Sequence, residues 1–293
     1  MENKGNISIS KKPGEVIFMQ DKEFYSIGEV SKICNISKKA LRFYDEIGLI
    51  SPDMICDDNS YRYYTRKTLL CVPVIKYYKQ MGFKLDEMKE SLEGNTYAAF
   101  EKHFRAKIDE LKELEKKTYE KYTSVKDWYE LILEAEMVIE NGVNEVAVKY
   151  MDVSDFCFME QNFNYNYMES IINIDFTNYI ESINNAITGP VIINFPSFQE
   201  RIEGKSNKVN IMQKTITPCT EKEIKKFGGC MMASCYHIGS HESINETYEK
   251  IIKWADVHCY KCDEESYERY VTDYWTTRKS EDFVSEIMIK ISR

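Results

Sequence analysis

The sequence has no uninterrupted apolar run near the roughly 20 residues that a membrane-spanning helix needs. Residues 1–24 carry lysines but no apolar segment, so a secretory signal is not expected there. The nine cysteines are odd in number and scattered, unlike the framework of a secreted disulfide-rich domain. His258-Cys259-Tyr260-Lys261-Cys262 has CxxC spacing, but no second pair stands at a zinc-like distance. These absences point to a reduced, cytoplasmic chain with no membrane partner, and neither a metal nor a cofactor is expected.

Positive charge is scarce as well. The 293 residues hold 39 Lys+Arg against 48 Asp+Glu, a net charge of −9. That balance argues against nucleic acid until it is read by region. Residues 25–89 hold 11 basic and 8 acidic residues, whereas residues 143–293 hold 16 and 23. A mildly basic N-terminal unit can meet phosphate because the local field decides. The acidic C-terminal half should prefer cations or neutral molecules. With 43% hydrophobic and 30% charged residues, the chain can fill about two globular cores.

Residues 1–24 show no period and read as an N-terminal extension. Ser26-Ile27-Gly28-Glu29 is a capping box, and Ile27, Val30 and Ile33 form the apolar stripe of a helix behind it. Ser37 caps a second helix, which Gly48 ends. Leu49-Ile50 reads as a short strand, Asp57–Ser60 as a turn, and Tyr61-Arg62-Tyr63-Tyr64 as a second strand, giving a β-hairpin wing. Thr65 caps a helix to Met81 that Pro73 should kink. A short helix follows over residues 86–93.

Residues 100–140 have neither Pro nor Gly. Ile108, Leu111, Thr118, Tyr122, Val125, Tyr129, Ile132 and Ile139 fall on 3-4 spacing, with breaks at Glu115 and Glu136. A seam sustained over about four heptads favours a coiled-coil dimer over a helix packed within one chain. The predicted architecture is multidomain α+β. A winged helix-turn-helix over residues 25–95 precedes a dimerisation helix over 96–142. An α+β domain over 143–293 then contains two β-α-β-β repeats, of which the second is the more regular.

In the N-terminal unit, Lys38, Lys39 and Arg42 lie on or beside the helix placed to enter a major groove, and Arg62 sits on the wing. Tyr44 offers a hydroxyl to phosphate. A solvated charged face is the commoner fate of such residues; the capped helix pair, the wing and the helix that follows favour DNA.

Four segments sharpen this. Tyr25–Val30, Ala40–Ile50, Tyr61–Tyr64 and Met81–Met88, in this order, resemble the MerR family of bacterial transcription regulators. The resemblance implies an antiparallel coiled-coil homodimer on double-stranded promoter DNA. It also implies activation by bending and untwisting an overlong promoter spacer so that RNA polymerase can engage. Residues matching Arg42, Tyr44 and Arg62 contact DNA in that family, and Tyr25 and Tyr63 of the same motifs are grouped with them. Ala40, Phe43 and Pro73 depart from the family pattern. Relatives that sense metals or oxidation place thiols near the dimer helix, where residues 100–156 have none.

In the C-terminal half, Gly239–Lys250, Tyr267–Tyr270 and Ser285–Ile287 resemble the GyrI-like effector domain of drug-sensing MerR members. There, a glutamate matching Glu268 lies at the floor of an aromatic pocket and attracts lipophilic cations. Strand alternation puts Glu268 and Tyr270 on one face, and a carboxylate among aromatic rings suits a cation. Glu286 is a second candidate acid. Tyr236, Tyr165, Tyr167, Trp275 and Phe198 are candidate walls, although an aromatic on a strand is more often core. The expected function is transcription activation in response to a hydrophobic, cationic small molecule, not catalysis. The alternatives are a hydrolase using Glu268 with Tyr270 or Tyr236, or a redox- or metal-responsive regulator.

Overall fold

The computed structural model describes residues 22–94 and 96–293. Most of the extension expected over residues 1–24 therefore lies outside the described residues. The chain divides into two compact units, the first ending at Leu114 and the second running from Glu115 to Arg293.

The first unit opens with β1 (Tyr25–Ser26) and α1 (Ile27–Ile33). Both halves of the capping box form: the Glu29 amide bonds the Ser26 hydroxyl, and the Ser26 amide bonds the Glu29 carboxylate at 2.9 Å. The Lys22 ammonium and the Ser26 amide hold the Glu29 carboxyl down at about 2. Ser37 caps α2 (Lys38–Glu46). The wing is β2 (Met54–Ile55) against β3 (Arg62–Tyr64), and β3 also pairs with β1. Leu49-Ile50 is not a strand: both amides turn back to the Tyr44 carbonyl, at 2.8 and 3.2 Å, and close the end of α2.

Next come α3 (Arg66–Gln80), α4 (Leu85–Gly94) and α5 (Tyr97–Glu140). Pro73 does not interrupt α3. Proline has no N–H for the carbonyl four residues back, and that Leu69 carbonyl accepts the Cys34 thiol at 3.9 Å. The core joins Leu41, Tyr44, Leu69, Val72, Ile75 and Tyr78. Phe100 and Phe104 of α5 pack against it. The division between the two compact units falls inside α5.

The second unit continues with β4 (Ala147–Met151), β5 (Ser154–Asn162), α6 (Tyr167–Ile171), α7 (Ile174–Ser182) and β6 (Ile187–Phe195). Then follow α8 (Phe198–Ile202), β7 (Lys208–Thr215), β8 (Ile224–Phe227) and β9 (Cys230–Ile238). The chain ends with α9 (Ile244–Val257), β10 (Lys261–Thr272) and β11 (Val284–Ser292). One antiparallel sheet has the order β4-β9-β11-β10-β6-β7-β5-β8. The repeat is plain in that order. In each half the third strand inserts between the first two, β7 between β5 and β6 and β11 between β9 and β10; α6 and α7 link β5 to β6 as α9 links β9 to β10, and α8 is an addition between β6 and β7. The halves join where β10 pairs with β6, Glu268 opposite Ile193.

The two sheet faces differ. Leu131, Ala135 and Val138 of α5 pack on Val271 and Val284 on one face. On the other, Ile244, Tyr248 and Ile251 of α9 cover Ile287 and Ile289, while Phe176 and Ile180 of α7 cover Ile193 and Ile211.

Gly228 leads into β9 with φ +98°, and a Cβ there would stand 2.2 Å from the Asp152 carbonyl oxygen. Gly142 has φ +57° in open space. Gly228→Ala should lower the unfolding free energy by about 3 kcal/mol or more, and Gly142→Ala by about 1 kcal/mol. Urea unfolding with equal losses for both would contradict the close packing at Asp152.

Candidate functional site

In the first unit, the Ser37 cap sets the start of α2, so Lys38, Lys39 and Arg42 emerge exposed along one helix. Arg62 is held on the wing by Asp45, Nε to Oδ2 at 2.8 Å. Tyr63 is half-buried. Tyr25 and Tyr44 are both almost fully buried in the core. Lys79 lies over the Tyr44 ring, 5.2 Å from its centre. The expectation that these two tyrosines present themselves to DNA is corrected. Both aromatic bodies pack in the core with Leu41, Leu69 and Ile75 instead.

In the second unit, the seam between the β-α-β-β halves holds a buried carboxylate. Glu268 on β10 is 0% exposed. Its Oε1 accepts from Arg201 Nε at 2.8 Å and from the Tyr248 hydroxyl at 3.1 Å. Its Oε2 accepts from the Tyr270 hydroxyl at 2.6 Å. Arg201, on α8 and 3% exposed, also donates to Asn245 Oδ1 at 3.0 Å and to the Tyr167 hydroxyl. Its Cζ lies 5.2–5.7 Å from the ring centres of Tyr165, Tyr167, Phe195 and Tyr248. Burial pulls the Arg201 pKa down, but Glu268 together with Tyr167, Tyr248 and Tyr270 more than offsets it and raises the value above the ordinary arginine range. Burial pushes the Tyr248 and Tyr270 hydroxyls well up, so both stay protonated and donating.

Beside this cage, His241 is 3% exposed and stacks on Phe283 at 5.0 Å, with Tyr167 and Tyr270 rings each at 5.1 Å. Neither of its ring nitrogens has a hydrogen-bond partner. Burial, helped by nearby His237 and Arg201, lowers its pKa to about 3. A separate open cleft of about 210 Å³ has Ile171, Phe176, Val191 and Ile211 in its lining, residues that also belong to the apolar cluster containing Tyr270; none of the cage side chains lines it. Trp275, 60% exposed, stands at its rim and stacks on Trp128 of α5 at 4.2 Å.

Residues 158–292 match the family of GyrI-like small-molecule-binding domains, and residues 25–95 match the MerR helix-turn-helix regulatory family. The chain carries a MerR-type helix-turn-helix domain followed by a GyrI-like domain. It is similar to the multidrug-efflux transporter 1 regulator of Bacillus subtilis, 47% identical over 98 residues, which is 31% of this chain but only 35% of that relative. The multidrug-efflux transporter 2 regulator of B. subtilis is 25% identical over 288 residues, 92% of this chain and 97% of the relative. A solved EcmrR–DNA complex covers 92% of the chain at 19% identity with a TM-score of 0.44.

Within the GyrI-like domain the expected site residues separate. Glu268, Tyr270, Tyr165 and Tyr167 come together. Glu286 and Tyr236 do not join them, because antiparallel register places Arg269 opposite Glu286 and Glu286 opposite Tyr236, all on the α5 face. There Arg269 Nε bonds Glu286 at 2.9 Å and its two terminal nitrogens clasp Glu134 of α5. Tyr236 donates to the same Glu134 at 2.7 Å, and Lys149 pairs with Glu286. Burial pushes the Glu286 carboxyl up, but the Arg269 and Lys149 charges win and hold it below the ordinary range. Phe198 packs in the core under α9 instead. Glu268 itself departs from the expected open anion, since an arginine of this chain already pairs with it. Arg201, Asn245, Tyr248 and His241 were missed by sequence reasoning. Tyr248 alone left a signal, as the polar tip on the otherwise apolar face of α9.

The nine cysteines are free. Among the described residues no group of three or more His, Cys, Asp or Glu is placed to hold a metal ion.

His241 gives a pH prediction. Its folded pKa of about 3 lies below the unfolded value of about 6.5, so the unfolded chain binds the extra proton between them. Stability is therefore full above pH 6.5 and falls on acidification towards pH 3. At pH 5 this loss is about 2 kcal/mol. His241→Phe keeps the stacking and should flatten the pH 5–7.5 stability profile by that amount. Parallel profiles for the variant and the unaltered chain would contradict a buried neutral imidazole.

Proposed function

We propose that this protein is a ligand-responsive transcription regulator that binds promoter DNA as a homodimer and activates when a hydrophobic cation enters the GyrI-like domain. One observation carries the effector half: a completely buried carboxylate, Glu268, ringed by tyrosines at the seam of the two repeats. Such a group is expensive to bury unless a cation pairs with it, as Arg201 does here, so the cage is built for positive charge. The effector's charge pairs with Glu268, and its apolar body packs against the aromatic cluster that contains Tyr167 and Tyr270. Regulators of multidrug-efflux transporters are among the similar proteins, and a multidrug-efflux gene is the proposed target.

Arg42, Lys38 and Lys39 face DNA from α2 and Arg62 from the wing. Tyr63 touches the flanking backbone. The seam residues Leu111, Tyr122, Val125 and Tyr129 are exposed on a single chain, and a second copy covers them. The distorted promoter then engages RNA polymerase. Sensing rather than turnover is the proposed role. Tyr236 faces away from Glu268 and does not pair with it, whereas Tyr270 does, at 2.6 Å, so the fate of the effector decides between the two roles. The effector should be recovered unchanged after incubation.

Glu268→Gln preserves shape while removing charge. In a promoter–reporter assay it should abolish the response to a hydrophobic cation and spare that to a matched neutral analogue; equal losses would remove the charge role. Arg42→Ala should weaken operator binding by about 1–3 kcal/mol in a gel-shift titration at fixed salt, if it reads a base. Unchanged affinity would take Arg42 out of the interface. Leu111→Asp with Val125→Asp changes only exposed positions, so each chain should stay folded while sedimentation reports monomer. A surviving dimer would place the seam elsewhere.

A further inference from the structure

The cage described above is already full. Its occupant is the guanidinium of Arg201, held as a bound cation would be: a charge-paired bond to Glu268, hydrogen bonds to Asn245 and Tyr167, and four aromatic rings around it. The group reaches the cage from α8, a helix of only five residues. Phe198 and Ile202 of the same helix pack in the core under α9, and Asn245 donates to the Ile202 carbonyl at 3.2 Å, so the helix stays in place and only the arginine side chain has to leave the cage.

We propose that Arg201 is an internal competitor for the effector cage, and that the cage accepts a planar, delocalised cation of the guanidinium or amidinium class carrying an aromatic body. This rests on the reading of the cage as the effector site and names the ligand chemistry of that site. The geometry sets the class. The Arg201 group is flat and presents separate N–H donors to Glu268, Asn245 and Tyr167, a fork that a compact ammonium does not match. The rings around it favour a cation with an exposed π-face. His241 supplies an independent observation. It is almost wholly buried against Tyr167 and Tyr270, and both its ring nitrogens are unspent. A polar group on the incoming molecule finds a partner there that Arg201 does not use.

The competition has a sign. An external cation binds only the fraction of molecules in which Arg201 has left, so apparent affinity falls by that fraction. Removing the arginine side chain removes the competitor. It also leaves Glu268 buried without its cation, which increases the demand for an external one.

The test uses the full chain with phenylguanidinium, planar like the arginine head group, and phenylurea, its neutral isostere. By calorimetry, Arg201→Ala should bind phenylguanidinium at least tenfold more tightly than the unaltered chain. Phenylurea should show no such gain, and adding Glu268→Gln should abolish it. Equal affinity in the two proteins overturns the proposal, as does a gain shared by phenylurea or one that survives Glu268→Gln. Should Arg201→Ala be unstable, its thermal transition carries the same test: a saturable upward shift with phenylguanidinium supports the proposal, and no shift overturns it. The reporter response separates this from the effector reading. A tenfold gain in Arg201→Ala, with an unaltered cation response in Glu268→Gln, keeps the competitor and overturns the effector reading. A lost response without the gain overturns the competitor alone.

Discussion

A carboxylate with no access to water organises the second unit. Removing an ion of that size from water costs several kcal/mol even after the surroundings relax, and Glu268 recovers it through Arg201, Tyr248 and Tyr270. Those partners come from α8, α9 and β10, and Tyr167 of α6 closes the ring behind the arginine. Four elements from both repeats therefore meet at one charge. The sheet seam between β6 and β10 puts Glu268 at the centre, where no strand edge admits solvent.

The same strand carries the charge network of the opposite face. Successive residues on a strand point to opposite sides, so Glu268 lies in the cage while Arg269 reaches Glu134 of α5. Thr188 adds a bond to Asp127 at 2.5 Å, and Trp275 adds its stack on Trp128. A ligand that changes what Glu268 pairs with acts on a strand whose next residue grips the long helix. Such contiguity becomes regulation only if the ligand binds two arrangements with different affinity. Exchange of an internal guanidinium for an external cation supplies that difference.

Much of this was legible in the residues. The capping box at Ser26 and Glu29, the Ser37 cap and the Asp57–Ser60 turn fix local geometry with nearest-neighbour chemistry, and the structure forms all three. Leu49-Ile50 misled because two apolar residues read equally as strand or as a helix-closing bend. Alternation put Glu268 with Tyr270 on one face of their strand. It says nothing about register between strands, and register sent Glu286 to the other face. Arg201 was invisible for a related reason: it lies 67 residues from Glu268 in the chain, on a helix too short to show a period. Tyr25 and Tyr44 read as DNA contacts because motif position does not reveal burial.

The account depends on Arg201 and Glu268 being one unit. A double-mutant cycle with Arg201→Met and Glu268→Gln, read by urea unfolding of the full chain at neutral pH, tests this most directly. Each single change should cost about 3–5 kcal/mol, because it strands a buried partner. The double variant should lose less than the sum by at least about 2 kcal/mol. Losses that add to within about 0.5 kcal/mol would mean that the two side chains do not depend on each other, and the cage would not be built around a paired charge.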